Sequence, residues 1–255
     1  MKDALLRIRE VSKHFGGVYA VKGVSLDINH DGGICGLVGP NGSGKTTLFN
    51  TILGLHKPDQ GEIYFHGKCT NNLAPHQIYE LGLVNAFQLP RLFYSLSVLD
   101  NMLVAARGHQ GDRLFNSLFL RGRWQEQEKG LIKEALDILE LVELEQWASS
   151  PAGELSGGQR KLLEVARGLM AKPTLLLLDE PAAGINPVLG KKMFQKLKDF
   201  SRNGIAFFIV EHRLEILFEF ASWVYVMDKG RIVTAGQPQA IIDDPTFYAI
   251  YLGEE

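Results

Sequence analysis

Short apolar runs alternate with segments of helical periodicity along the 255 residues of this chain. Residues 5–11 and 19–26 alternate apolar and polar positions, which predicts short strands with tight turns. Residues 34–38, 174–178 and 205–210 are almost continuously apolar, as in strands that are buried on both faces. Helix-like patterns separate these runs. The pattern therefore predicts an α/β fold with a largely parallel sheet covered by helices.

Residues 90–153 follow a different pattern. Apolar positions recur at helical spacing from Leu131 to Leu141, after a polar, Gly- and Arg-containing stretch at 108–124. We predict a helical insertion here, followed by a helix over 162–169 that ends before Pro173. Near the end of the chain, residues 224–233 predict a hairpin with a turn at 229–230.

Composition excludes several classes of protein. With 27 Lys and Arg against 29 Asp and Glu, the net charge of −2 gives little electrostatic attraction for nucleic acid. The two cysteines, Cys35 and Cys69, form no CxxC pair, so neither a disulfide framework nor a zinc site is indicated and we expect a reducing compartment. Charges interrupt the N-terminal segment, which is unlike a secretory signal. No apolar run approaches the ~20 residues that span a bilayer, and we expect a soluble protein.

A glycine-rich loop follows the apolar run at 34–38 and precedes a helix-like segment, and it matches the pattern GxxxxGK[ST]. Successive amides of such a loop bind phosphates, the lysine adds charge between the β- and γ-phosphates, and the first threonine offers a hydroxyl to Mg²⁺. The alternative is a glycine turn that carries Lys-Thr by chance. The candidate nucleotide-binding residues are Gly39, Pro40, Asn41, Gly42, Ser43, Gly44, Lys45, Thr46 and Thr47.

Two adjacent carboxylates, Asp179 and Glu180, follow the apolar run at 174–178. Open α/β sheets bind ligands at the carboxyl ends of their strands. We predict that Asp179 lies near Mg²⁺, with a water between them as one arrangement, and that Glu180 acts on the attacking water as general base or positioner. The alternative is a pair of acids that cap a strand end on a solvated face.

The string Leu-Ser-Gly-Gly-Gln at 155–159 resembles the signature of ATP-binding cassette (ABC) ATPases. The order of phosphate loop, signature, Asp-Glu pair and histidine is similar to that family over essentially the whole chain. In the family, the signature of one subunit holds the γ-phosphate on the opposite subunit, so two chains sandwich two nucleotides head to tail. The alternative is a helix N-cap at Ser156. The signature candidates are Ser156, Gly157, Gly158 and Gln159.

The resemblance implies one ABC ATPase domain over 1–255, with a P-loop NTPase core of RecA type. Residues 1–89 and 160–255 are expected to form the catalytic core with an N-terminal antiparallel β subdomain. Residues 90–159 are expected to form an inserted α-helical subdomain that ends in the signature.

Three further roles come from the resemblance. Gln88 resembles the glutamine that contacts Mg²⁺ and water, and His212 resembles the histidine that reads the γ-phosphate. Phe15 resembles the aromatic residue that stacks on adenine. The alternatives are a structural histidine and a hydrophobic plug under the first hairpin.

Departures from the pattern common to ABC ATPases indicate which subfamily the chain resembles. Residues 182–187 carry Asn186 where many cassettes have an aspartate, and its neutral amide can still hydrogen-bond across a dimer. This string, the stretch at 108–124 and the ending at 251–255 resemble the importers of branched-chain amino acids. ATPases for lipid or lipopolysaccharide export, or for uptake of urea or other solutes, stay open.

The resemblance also implies partners. They are ATP with Mg²⁺, transmembrane permease subunits, a second ATPase subunit and, indirectly, a solute-binding protein, at the cytoplasmic face of the cell membrane. An apolar cluster after Gln88 suits either permease docking or internal packing; it comprises Leu89, Leu92, Phe93 and Tyr94. Action on nucleic acid or ribosomes is disfavoured, because such relatives carry paired cassettes, coiled-coil arms or zinc modules. A small-molecule kinase would leave the signature string unexplained.

Overall fold

The computed structural model describes residues 4–30, 33–86, 92–106 and 121–252, without the side chains of 121–128 and 252. They divide into two units. The first comprises Met1–Asn85, Thr174–Ala183 and Pro187–Glu255, and the second comprises Ala86–Pro173 and Gly184–Asn186.

The first unit contains all of the strands that the structure describes. In chain order they are β1 (Ala4–Phe15), β2 (Val18–Asn29), β3 (Gly33–Val38), β4 (Gln60–Phe65), β5 (Lys68–Cys69), β6 (Leu83–Asn85), β7 (Leu175–Asp179), β8 (Ala206–Val210), β9 (Trp223–Asp228) and β10 (Arg231–Gly236). The described helices of both units are α1 (Lys45–Ile52), α2 (Pro75–Glu80), α3 (Val98–Ala105), α4 (Arg121–Leu141), α5 (Gly157–Met170), α6 (Pro187–Arg202), α7 (Leu214–Phe220), α8 (Pro238–Ile242) and α9 (Pro245–Leu252).

The strands form two sheets, which confirms the α/β prediction. The first sheet has the order β2-β1-β4-β5 and is antiparallel, with its alternating pattern burying Leu6, Ile8 and Val11. The second has the order β10-β9-β3-β8-β7-β6, and only its β9–β10 pair is antiparallel. The continuously apolar strands β3, β7 and β8 lie side by side in this second sheet. Since both of their faces are covered, their sequences need no polar alternation.

Helix α1 lies over the second sheet and closes the core of the first unit. Its Phe49 ring lies 5.0 Å from the ring of Phe208 on β8. Leu48 and Ile52 on the same helix are fully buried. Burying each such side chain contributes about 1.5–3 kcal/mol, so this helix is held chiefly by its apolar face.

The predicted hairpin is confirmed in strands β9 and β10. Lys229 and Gly230 form its turn with φ angles of 43° and 83°. A two-residue turn with positive φ at both positions matches the twist of the flanking strands. The Gly230 amide also donates to the Ser43 carbonyl oxygen at 2.9 Å, which connects this turn to the glycine-rich loop.

The second unit is helical, as predicted for residues 90–153. Asn101 on α3 is fully buried, and its side chain accepts from the Phe93 amide (2.9 Å) and donates to the carbonyl oxygens of Phe93 (3.0 Å) and Ser97 (2.9 Å). Arg167 on α5 donates to the Asn101 carbonyl oxygen at 3.1 Å. The Asn101 bonds hold the segment before α3 against α3, and the Arg167 bond joins α5 to α3.

The division between units differs from the subdivision expected from the sequence. The sequence predicts that the chain returns to the core at residue 160. The structure instead keeps residues 160–173 in the second unit, because α5 runs unbroken over Gly157–Met170 and packs on α3 and α4. The helix ends before Pro173, as predicted. Residues 108–120 of the polar stretch lie outside the described residues, while 121–124 open α4.

Within the part of the chain that the structure describes, each helix is too short or too polar to cross a membrane.

Candidate functional site

The glycine-rich loop joins the carboxyl end of β3 to the first turn of α1. Gly44 is the N-cap of α1 and has a φ of 107°, in the left-handed region that glycine tolerates. A Cβ at this position would lie 2.1 Å from the Ala20 carbonyl oxygen. The loop therefore leads directly into the N-terminus of α1, whose positive dipole end favours an anion.

Replacing Gly44 tests how tightly the loop is packed. We expect Gly44→Ala to reduce the free energy of unfolding by about 3 kcal/mol, since a positive φ and a backbone clash act together. Gly42→Ala is the matched control, with a φ of 80° but nothing within 4 Å of the added Cβ. It should cost only about 1–2 kcal/mol. Urea unfolding of both variants measures the difference, and equal losses would contradict the packing described here.

Lys45 is buried, with 6% of its surface exposed. Its Nζ donates to the carbonyl oxygens of Gly39 (2.8 Å) and Pro40 (2.9 Å) and to Ser43 Oγ (3.4 Å). Burial lowers the pKa of Lys45, while the nearby charges of Asp179 and Glu180 act in the opposite direction. The loop thus holds an ammonium group at its centre, next to the two carboxylates.

A cleft of about 210 Å³ lies in front of this loop. It brings together residues that the sequence placed on three separate segments, together with Ala20 and Val210. The predicted residues that line it are Asn41, Gly42, Gly44, Lys45, Thr46, Thr47, Glu180 and His212.

Glu180 and His212 face each other in the cleft. Each follows one of two adjacent parallel strands, and Glu180 Oε1 lies 2.9 Å from His212 Nε2. The backbone of Glu180 has a φ of 50°, and its amide donates to the Val210 carbonyl oxygen at 2.8 Å. A left-handed glutamate is strained by about 1–2 kcal/mol. Both side chains are partly exposed and can reach a ligand in the cleft.

A family model described as "ABC transporter" matches residues 21–183, well over half of the chain. The chain belongs to the ABC transporter family. It is an ATP-binding subunit and an ATPase of that family, as the resemblance of the signature string implied.

Similar proteins cover the chain from end to end. A probable branched-chain amino acid transport ATP-binding protein LivG of Archaeoglobus fulgidus is 40% identical over 98% of this chain and 96% of its own length. The high-affinity branched-chain amino acid transport ATP-binding protein BraF of Pseudomonas aeruginosa is 34% identical over all of both chains.

Solved structures agree with this family membership. The ADP conformation of an ATP-binding cassette of an ABC transporter is 37% identical, covers 99% of this chain and 100% of its own, and has a TM-score of 0.84. A dimeric cassette in a post-hydrolysis state, bound to ADP and Pi, is 26% identical over 91% of this chain and 98% of its own, with a TM-score of 0.74.

The signature of this ABC ATPase lies in the second unit, at the start of α5. Ser156 Oγ accepts from the Gln159 amide at 3.3 Å, and Gln159 Oε1 accepts from the Ser156 amide at 2.8 Å. These two bonds form a capping box, so Ser156 caps the helix as the N-cap alternative predicted. Ser156 and Gly157 are exposed, so the cap leaves this helix terminus open to a ligand.

Phe15 and Asp179 are not among the described residues that line the cleft. The Phe15 ring is 48% exposed and lies 5.2 Å from the His56 ring, so it is not a buried plug. Asp179 ends β7 and pairs in register with Val210. Gln88 lies outside the described residues.

Sequence reasoning missed two residues beside the site. Glu211 is a buried carboxylate directly after β8, and its position after an entirely apolar strand could have drawn attention to it. Tyr251 on α9 accepts a hydrogen bond from the Gly39 amide, and burial raises the pKa of this tyrosine to about 12. Nothing near Tyr251 in the sequence indicates that contact.

Proposed function

We propose that this ABC ATPase hydrolyses ATP in the cleft beside Lys45 and thereby drives import of branched-chain or related amino acids through separate permease subunits. The observation that carries the proposal is the cleft itself. It unites a buried lysine, a helix N-terminus and the Glu180–His212 pair at 2.9 Å.

The glycine-rich loop holds the phosphates of ATP. Its backbone amides and the first turn of α1 supply hydrogen bonds and a positive dipole end, and Lys45 supplies full charge. Phe15 is an exposed residue, and it stacks on the adenine. The other loop residues that frame the phosphates are Gly39, Pro40, Asn41, Gly42, Ser43, Gly44 and Thr47.

The donor set suits Mg²⁺. The Thr46 hydroxyl and the Asp179 carboxylate are oxygen ligands of the kind this ion prefers, with Asp179 acting directly or through water. Among the described residues, no group of three His, Cys, Asp or Glu side chains could hold an ion alone, so ATP would supply the remaining oxygens with Gln88 and water. When bound, the ion neutralises phosphate charge.

Glu180 takes the proton of the attacking water, and His212 positions the γ-phosphate and that water. A general base must reach the proton it removes through a hydrogen bond. The position of Glu180 in the lining of the cleft, beside Lys45, supports this role. Its contact with His212 fixes the direction in which the carboxylate points.

Two copies of the chain, or this chain and a paralogous subunit, assemble head to tail. The exposed residues Ser156 and Gly157, with Gly158 and Gln159, then hold the γ-phosphate bound to the opposite subunit. Asn186 is exposed and can hydrogen-bond across the dimer. The dimeric solved cassette supports this arrangement.

The ATPase docks on permease subunits through the segment before α3 and works at the cytoplasmic face of the membrane. Phe93, Tyr94 and Leu96 are exposed there, and Asn101 holds the segment in place. Leu92, which belongs to the same apolar cluster in the sequence as Phe93 and Tyr94, is buried and packs internally, and Leu89 lies outside the described residues. The names of the relatives support transport of branched-chain amino acids, for which we expect a solute-binding protein as the outer component.

Co-purification from membranes tests this proposal. We expect the tagged full-length chain to recover two permeases and an amino-acid-binding protein, identified by mass spectrometry. The double variant Phe93→Ala/Tyr94→Ala should lose the permeases, whereas Leu141→Ala, which alters an exposed leucine at the end of α4, should retain them. Recovery of ribosomes, or of permeases for another solute, would refute the assignment.

A further inference from the structure

Glu211 is a buried carboxylate for which the proposed reaction has no use. Only 2% of its surface is exposed, and it follows β8, whose five residues are all buried. Burial of a charged carboxylate is costly unless its oxygens receive hydrogen bonds. The residues around Glu211 must therefore supply hydrogen bonds to its carboxylate.

Three backbone amides donate to the Glu211 carboxylate. Oε1 accepts from His212 (2.9 Å) and Arg213 (3.2 Å), and Oε2 accepts from Ala182 (3.1 Å). Hydrogen bonds to a charged acceptor are about twice as strong as neutral ones. The carboxylate thus replaces its lost hydration with amides from two different segments.

These two segments carry Glu180 and His212, to which we assign roles in hydrolysis. Ala182 lies two residues after Glu180 at the end of β7, and His212 directly follows Glu211 at the end of β8. A further bond from Arg213 Nη1 to the Ala182 carbonyl oxygen, at 3.5 Å, joins the same segments. Their separation sets the distance between the Glu180 and His212 side chains.

We propose that Glu211 is a positioning residue that fixes the Glu180–His212 geometry by fastening together the backbones that carry them. The inference rests on the proposed roles of Glu180 and His212 in hydrolysis. Glu211 itself contacts no substrate in this scheme. A displacement of about 1 Å in a catalytic pair can lower a rate about 100-fold, so loss of this link affects turnover more than binding.

Steady-state ATP hydrolysis by the full-length chain tests the inference. In Glu211→Gln, the side-chain NH₂ faces backbone N–H donors, and we expect kcat to fall about 10- to 100-fold with KM for ATP within about twofold of the wild type. In a His212→Ala background the same substitution should lower kcat by less than about twofold, because the geometry it protects is already lost. Thermal melting should show the same stability loss in both backgrounds.

Two variants complete the design. Asp244→Asn is the matched control, because Asp244 accepts a hydrogen bond from the backbone amide of Thr246 at 2.8 Å on an exposed turn. We expect its kcat to equal that of the wild type. Glu211→Asp keeps the charge but is too short to reach both segments, so it should also lower kcat, and it serves if Glu211→Gln does not fold.

The outcomes separate the two proposals. Wild-type kcat in folded Glu211→Gln or Glu211→Asp would overturn the positioning role. So would an equal loss of kcat with and without His212. Wild-type kcat in both Glu180→Gln and His212→Ala would instead overturn the proposed reaction.

Discussion

Glu180→Gln is expected to lower kcat for ATP hydrolysis about 10²- to 10⁴-fold, which is the usual contribution of a general base. Glutamine preserves the volume and the contact with His212 but cannot take a proton from water. Nucleotide binding should persist, because Lys45 and the loop amides are unchanged. ATP should therefore drive the variant into a dimer that does not reopen, which sedimentation velocity detects.

The matched control for that experiment is Glu215→Gln, which removes an exposed carboxylate from the first turn of α7. It should hydrolyse ATP at the wild-type rate and form no lasting dimer. If Glu180→Gln binds ATP but does not accumulate as a dimer, the hydrolytic role of Glu180 is weakened.

Lys45→Ala is expected to abolish measurable hydrolysis and to weaken ATP binding about 10- to 100-fold, since hydrogen bonds to a charged group each contribute about 1.5–3 kcal/mol. The substitution has a second effect. It leaves the carbonyl oxygens of Gly39 and Pro40 without the donor that holds the loop in shape. Calorimetric titration with ATP measures the affinity, and phosphate release measures the rate.

Lys172→Ala is the appropriate lysine control, because this exposed side chain pairs with Glu134 at 2.8 Å in the second unit. It should change neither affinity nor rate. Wild-type hydrolysis by Lys45→Ala would overturn the assignment of the phosphate loop.

The sequence predicted the central strands and the last hairpin because their signals are local. Continuous apolar runs identified β3, β7 and β8, and Lys229-Gly230 identified the turn. The order of the strands could not be read in this way. Strand β3 lies between β8 and β9, which follow it by more than 160 residues, and such pairing depends on long-range packing. The two- and three-residue strands β5 and β6 are too short to show a period.

The candidate site likewise has parts that local sequence signals predict and parts that depend on long-range packing. The glycine-rich loop was predictable because the conformation it needs is set by its own glycines. The approach of Glu180 to His212 was expected only in outline, from two residues at strand ends. The apolar character of Leu92 did not reveal whether it faces the core or solvent, and the structure buries it. The role of Glu211 depends on an amide 29 residues earlier, at Ala182, which no local pattern specifies.

The left-handed backbone at Glu180 has a consequence for how this protein can change. A glycine there would relieve the strain and raise the melting temperature, but it would remove the carboxylate on which turnover depends. Selection for a higher melting temperature and selection for ATP hydrolysis therefore act in opposite directions on the codon for residue 180. A library screened for heat resistance alone is expected to enrich inactive ATPases at this position.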